Sequence, residues 1–270
     1  MKNGIKYLII FPDIHGRKYW QTISRVYLGK PEYEFIFLGD YFDPYLSIDG
    51  INEDDSFKNF IDLYNTFNTF PNKCTWLLGN HDYHYLEWMK HEWGCRRSIK
   101  YFNQISKFFH DNFDKFNIAY EYKINGKRYI FTHAGITIGY AKDIQAMLYR
   151  KNNPTDITMD GFADVRKSYI NTYNAELLNQ FKYEEYKDFI WRISYSRGGD
   201  CIDGSCIWAD VTEHVEYEFL YNQDDFKQHN IYQIFGHSYS RDALITDNFA
   251  MLDCKRPFLL NCKTGELTKI

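Results

Sequence analysis

Residues 7–17 read YLIIFPDIHGR: a short apolar run, then an acid, an imidazole and a glycine. An unbroken run of this length suits a strand buried on both faces, not one alternating between core and water. The format recurs. YEFIFLGD follows at 33–40 and CTWLLGN at 74–80, and RYIFTHAG (128–135) and NIYQIFGHS (230–238) repeat it later. Between the second and third runs, Phe57, Phe60, Ile61, Tyr64 and Phe67 fall at helical spacing. Strand, helix, strand in that order predicts a βαβ unit. The fold class is therefore α/β.

The rest of the chain is punctuated more weakly. Residues 83–113 carry a mostly helical pattern, and 118–135 alternate around the hairpin signal Asn125-Gly126. Residues 138–195 are polar and aromatic with few breakers, which predicts a mainly helical, cap-like insertion. The Gly-rich SRGGDCIDGSC (196–206) predicts a loop, and the tail predicts two strands joined by a turn around CKRP. No repeat, low-complexity tract or linker interrupts the sequence, so a single domain spanning 1–270 is expected.

With 44 % hydrophobic and 25 % charged residues, the composition is that of a soluble globular protein. Aromatics make up 19 %, which predicts a ring-lined core. A net charge of −4 offers no electrostatic footprint for a dedicated nucleic-acid binder, so nucleic acid is not an expected partner. No apolar stretch approaches a membrane span, and the N-terminal apolar run is too short for a signal peptide. The six cysteines are scattered without a C-x-x-C pair and read as reduced thiols, with the cytoplasm as the expected compartment.

In an open α/β sheet, ligands bind where the carboxyl ends of the strands open. The residues at those ends are Asp13, His15, Asp40, Asp43, Asn80, His81, His133 and His237. Carboxylates and imidazoles crowded together without a lysine raise the cost of one another's charge, and divalent cations remove that cost. A thiolate-free mixture of acid, imidazole and amide suits intermediate metals such as manganese, iron, zinc or cobalt.

These motifs, DIHG (13–16), GDYFD (39–43), GNHD (79–82), THAG (132–135) and GHS (236–238), resemble the signature of the calcineurin-like metallophosphoesterases. DIHG and GDYFD are closest in style to the phosphoprotein (serine/threonine) phosphatase branch, and CIWAD (206–210) resembles that branch's Trp-containing loop. The resemblance implies a four-layer α/β/β/α sandwich. It implies hydrolysis of a phosphate ester by a metal-bridging hydroxide, in a phosphomonoesterase or protein phosphatase-like enzyme acting on a phosphorylated protein, nucleotide or small molecule. Two divalent ions are implied, manganese first, with iron, zinc, cobalt or nickel as alternatives. Position by position, Asp13 and His15 would hold the first ion and Asp40 would bridge. Asn80, His133 and His237 would hold the second. His81 would be the general acid, oriented by Asp43.

Two departures stand out. Tyr239 occupies the place of a first-metal histidine found in many family members, and Pro44 that of the branch's phosphate-binding arginine. Arg17 and Arg197 are the preferred replacements over Arg192 and Arg241. Three rivals remain: a diesterase of the same chemistry, a dinucleoside-polyphosphate hydrolase stacking a base on the Tyr and Trp residues of 138–210, and a non-catalytic scaffold. His84 and His91 read as helix-surface or cap residues and are not counted as ligands.

Overall fold

The computed structural model describes residues 4–152, 166–220, 226 and 228–270. Its apolar runs become strands of two sheets. The first sheet has six strands in the order β11-β10-β1-β2-β3-β4. These are β1 (Tyr7–Phe11), β2 (Tyr33–Phe37), β3 (Cys74–Leu77), β4 (Phe116–Asn117), β10 (Phe258–Asn261) and β11 (Leu267–Lys269). The second has five in the order β5-β6-β7-β9-β8. These are β5 (Ala119–Ile124), β6 (Lys127–Thr132), β7 (Ile231–Phe235), β8 (Leu244–Ile245) and β9 (Phe249–Met251). β1 to β4 run parallel, as do β6, β7 and β9.

Period-2 alternation distributes each strand between two cores. Leu8, Ile10, Ile36, Leu38 and Leu77 face Phe131, Ile234 and Leu252 in the layer between the sheets. Ile9, Phe11, Phe35, Phe37 and Trp76 point the other way, into the cluster that holds the helices. There, α1 (Trp20–Tyr27) contributes Trp20 and Ile23, α2 is the short helix Leu46–Asp49 at the cleft edge, and α3 (Glu53–Asn68) contributes Phe60, Leu63 and Phe67. Phe67 stands edge-on to Phe11, Phe35 and Phe37 at 5.9, 5.1 and 5.0 Å between ring centres. α3 begins where Asn52 accepts from the Asp55 N–H and three acids occupy the first turn, favourable at the positive end of a helix.

Of three expectations, the one for residues 83–113 needs correction. The tail holds the two expected strands, β9 and β10, joined by a turn at CKRP, and that turn carries the chain from the second sheet to the first. Residues 83–113 are only partly helical. α4 (Asn80–Tyr83) and α5 (Phe102–Asn112) are separated by one 3-10 turn and a loop containing Gly94 at φ 141°. Within 138–195, α6 (Ile138–Asn152) is the one long helix among the described residues; 153–165 lie outside them, and short helical turns follow. The hairpin at Asn125-Gly126 is present between β5 and β6.

Candidate metal centre and active-site cleft

The carboxyl ends of β1, β2 and β3 from one sheet and of β6 and β7 from the other meet at a single cleft of about 390 Å³. Asp13, His15, Asp40, Asn80, His81 and His237 line it. Two compact donor clusters share Asp40. One joins it with His15 and His81 and the other with His133 and His237, each with ligand atoms within 4.8 Å of one another. Asn80 adjoins the second, its Oδ1 3.1 Å from His133 Nε2. Asp13 stands outside both: its Oδ2 is 3.9 Å from His15 Nε2, while its Oδ1 accepts from the His237 N–H at 2.9 Å. Residues from sequence positions 13 to 237 thus come together at one cleft.

Second contacts orient the rings. His15 Nδ1 lies 2.7 Å from the Phe42 carbonyl and His133 Nδ1 2.8 Å from that of Leu38. In each case Nδ1–H donates outward and Nε2 is presented to the cleft, the arrangement that fixes a ligand tautomer. Close approach fixes the carboxylates. A Cβ on Gly79 would stand 2.1 Å from Asp40 Oδ1, and one on Gly236 would stand 2.3 Å from Asp13 Oδ1. Neither position has room for any other residue.

The electrostatics are those of a site that needs cations. Burial opposes ionisation of Asp40, but His133 and His81 outweigh it and hold the carboxyl well below its usual range. Burial likewise opposes a proton on His133, yet Asp40 and Asp13 lift it to about 9. His237 is driven down by burial and then by Arg197, and its buried Nε2 has no hydrogen-bond partner. An orphaned imidazole nitrogen beside a shared carboxylate fits a divalent ion. The residues present therefore suit the metals that the motifs imply.

His81 and Asp43 form a pair at the cleft wall. His81 Nδ1 is 2.9 Å from Asp43 Oδ2 and 3.1 Å from the Arg96 carbonyl. Asp43 is held in turn by the Ser98 N–H at 3.0 Å and by the Tyr85 hydroxyl. This leaves Nε2 as the nitrogen of His81 with freedom to act.

The arginines divide. Arg17 lines the cleft but is committed: Nε and an Nη bond Asp49 at 3.1 and 2.8 Å, and the other Nη reaches the Asp13 carbonyl. Arg197 also lines it, paired with Asp210 at 2.7 Å and donating to Ser238 Oγ at 2.7 Å. Arg192 pairs with Asp143 instead, and Arg241 is exposed elsewhere. Nothing in the sequence pattern singles out Arg96, which lines the cleft from the 90–101 loop. It donates to the carbonyls of Pro44 and Asp43 at 2.8 and 2.9 Å and stacks on Tyr45. Its guanidinium thus arrives beside the position where the resembled branch carries an arginine.

Two further residues have roles outside the ligand set. Asp82 is structural: it accepts from the N–H groups of Asp40, Tyr41 and Gly79 at 2.6, 2.9 and 2.9 Å, tying the second motif to the third. The signal was an acid at the third position of a helix, where it can reach back to the free amides. His84 is buried rather than on a helix surface, with Nδ1 2.9 Å from Cys95 Sγ and Nε2 2.8 Å from the Glu92 carbonyl. It closes the 84–95 loop under the cleft. All six cysteines are free, and among the described residues no helix is long and apolar enough to cross a membrane.

A family model described as calcineurin-like phosphoesterase matches residues 7–241. No curated protein matches the sequence. Among solved structures, the cold-active protein-tyrosine phosphatase of a psychrophilic Shewanella species superposes with a TM-score of 0.52 at 15 % identity, over 98 % of this chain and 78 % of that one. A protein serine/threonine phosphatase from Saccharomyces cerevisiae superposes with a TM-score of 0.50 at 11 % identity, over 99 % and 80 %. At such identities the likeness speaks for the fold.

Proposed function

The chain belongs to the calcineurin-like phosphoesterase family, and on that premise we propose that it is a metal-dependent phosphomonoesterase, resembling a protein phosphatase, whose general acid is His81. Hydrolysis of a phosphoester is the family's chemistry; the substrate class and the residue roles are our reading. The observation that carries it is the His81–Asp43 pair, with His81 at the edge of one of two donor clusters that share Asp40.

Asp13 and His15 would hold one ion, Asp40 would serve both, and Asn80, His133 and His237 would hold the second. The oxygen and nitrogen donors, with no thiolate, suit manganese first and iron, zinc, cobalt or nickel next. Bound there, a pair of ions would supply Lewis acidity toward phosphoryl oxygens and lower the pKa of water toward about 7. The chain's own residues do the rest. Asp43 accepts from His81 Nδ1–H and fixes the ring's tautomer and orientation, so that Nε2 faces the leaving oxygen as proton donor. Arg197 and Arg96 border the phosphoryl position, while Arg17 is held by Asp49 and does not bind the phosphate directly. The aromatic wall at Tyr45 and Trp208 confines the ester substituent.

The test is His81→Ala on two substrates, an alkyl and an aryl phosphate, with metal content measured in parallel. The variant should keep two manganese ions and lose about 10²–10⁴ in kcat on the alkyl ester. The loss should be much smaller on the aryl ester, whose leaving group needs no proton. Equal losses on both, or departure of one ion, would overturn the acid assignment.

A further inference from the structure

We propose that Asp253 is a positioning residue for the first-metal half of the site, supplying a carboxylate that no motif announces. The inference rests on the two-metal reading above. β9 runs parallel to β7, so its carboxyl end opens toward the same cleft as the strand ends that carry His133 and His237. Asp253 lies two residues past β9 and lines that cleft. It occupies on β9 the place that His133 and His237 occupy on β6 and β7.

Its surroundings do not account for it. The residue is 4 % exposed, and its Oδ1 has no hydrogen-bond partner. The two cations of this rim are spoken for: Arg17 bonds Asp49 Oδ2, and Lys255 Nζ sits 2.8 Å from Asp49 Oδ1. The other acid whose charge bears most on Asp253 is Asp13. Arg17 and His133 offset part of that repulsion, but neither bonds Asp253 Oδ1, and a cation between the two buried carboxylates would remove the rest. Tyr239 cannot take the part of the missing histidine, because it is 64 % exposed and carries Lys255 Nζ over its ring at 4.9 Å.

Asp253, like Asp13, lies outside both compact donor clusters; Asp13 is nevertheless tied to His15 and the His237 N–H, whereas Asp253 Oδ1 has no partner, which suits a role through one bridging water rather than direct ligation. An outer carboxylate of this kind holds a coordinated water in place and adds charge where Asp13, His15 and Asp40 leave the sphere incomplete. The role makes opposite demands on the two states of the protein. With metal, Asp253 strengthens binding; without metal, its charge beside Asp13 is a burden.

The experiment is calorimetric titration of manganese into the metal-free full chain, wild type and Asp253→Asn, with urea unfolding of both metal-free proteins. Wild type should bind two ions. The variant should bind one of them about 10–100-fold more weakly and the other unchanged, while its metal-free form is at least as stable as wild type. Unchanged affinity at both sites overturns the proposal. So does weaker binding accompanied by a less stable metal-free variant, since that marks a merely structural residue. Wild type binding fewer than two ions would overturn the two-metal reading itself, a failure visible before the variant is made.

Discussion

Stripped of metal, the protein should be most stable near pH 6.5, with a different histidine responsible for the fall on each side. His133 is held at about 9 because Asp40 and Asp13 outweigh burial. Its folded pKa thus lies above the unfolded value near 6.5. The stabilisation is fully present below pH 6.5 and is lost as pH rises through about 9. Raising a pKa from 6.5 to about 9 is worth about 3 kcal/mol at 1.36 kcal/mol per pH unit. Depression of Asp40 is the same attraction seen from its partner and adds nothing further. His214 behaves oppositely. Burial pushes it down to about 4, so stability rises as pH climbs from about 4 to 6.5, with His237 shifted in the same direction. Urea unfolding of EDTA-treated protein between pH 4.5 and 8.5 reads both limbs. Wild type should lose about 2–3 kcal/mol from pH 6.5 to 8.5, whereas His133→Asn should lose clearly less there, its remaining fall coming from buried Asp82 and Asp253, whose carboxyls burial holds well above the usual range, and keep the acid limb. Saturating manganese should abolish His133's share of the alkaline limb, because a ligating His133 carries no proton at that nitrogen. A flat wild-type profile above pH 6.5, or an equal fall in His133→Asn, would refute the claim that His133 carries the charge of the empty site.

Two further outcomes follow from steric and hydrogen-bonding detail. Gly79→Ala puts a Cβ 2.1 Å from Asp40 Oδ1, so turnover should drop by about 10²-fold or more and elemental analysis should show metal lost; Gly29→Ala, which meets nothing within 4 Å, should leave both intact. Asp82→Asn keeps one acceptor for three N–H donors, so urea unfolding should show a loss of about 3 kcal/mol, with activity falling because the Asp40 backbone is released.

The site was legible because each of its residues follows a strand, and a strand buried on both faces announces itself as an apolar run. Where DIHG, GDYFD and GNHD end such runs, parallel pairing alone brings Asp13, Asp40 and Asn80 together. What could not be read was partnership. FAML and PFLLN look alike as strings, yet β9 and β10 join different sheets, because the choice depends on which edge is open when the chain returns. The helical pattern of residues 83–113 covers the 90–101 stretch, which is a loop. Gly94, at φ 141°, instead lets the chain lie against the 191–208 segment, where a Cβ would meet Ile193 at 2.6 Å. Arg96 owes its place to that docking, and no local pattern encodes it. Asp253 was passed over for a simpler reason: a single acid after a three-residue strand carries no spacing to count.

The strained backbone of the cleft explains why its carboxylates bond as they do. His15, Asp40, Asp43 and His237 all have positive φ, at 41, 54, 58 and 66°. Left-handed backbone costs a residue with a Cβ roughly 1–2 kcal/mol, so together these positions oppose folding by a sizeable part of the about 5–15 kcal/mol of a typical domain. The restraint comes from the ligands themselves. Asp13 Oδ1 accepts the His237 N–H, Asp40 Oδ1 accepts the His81 N–H at 3.0 Å, and the Asp40 carbonyl accepts the N–H groups of Ile14 and His15 at 3.1 and 2.7 Å. Each motif therefore clamps the backbone of another while offering its remaining oxygen to the cleft. Removing one carboxylate deletes a donor to metal and also frees a strained neighbour to relax out of position. Single-ligand deletions in this site should accordingly lose more than one ligand's share of affinity, and only a double-mutant cycle between Asp13 and His237 separates the coordination from the clamp.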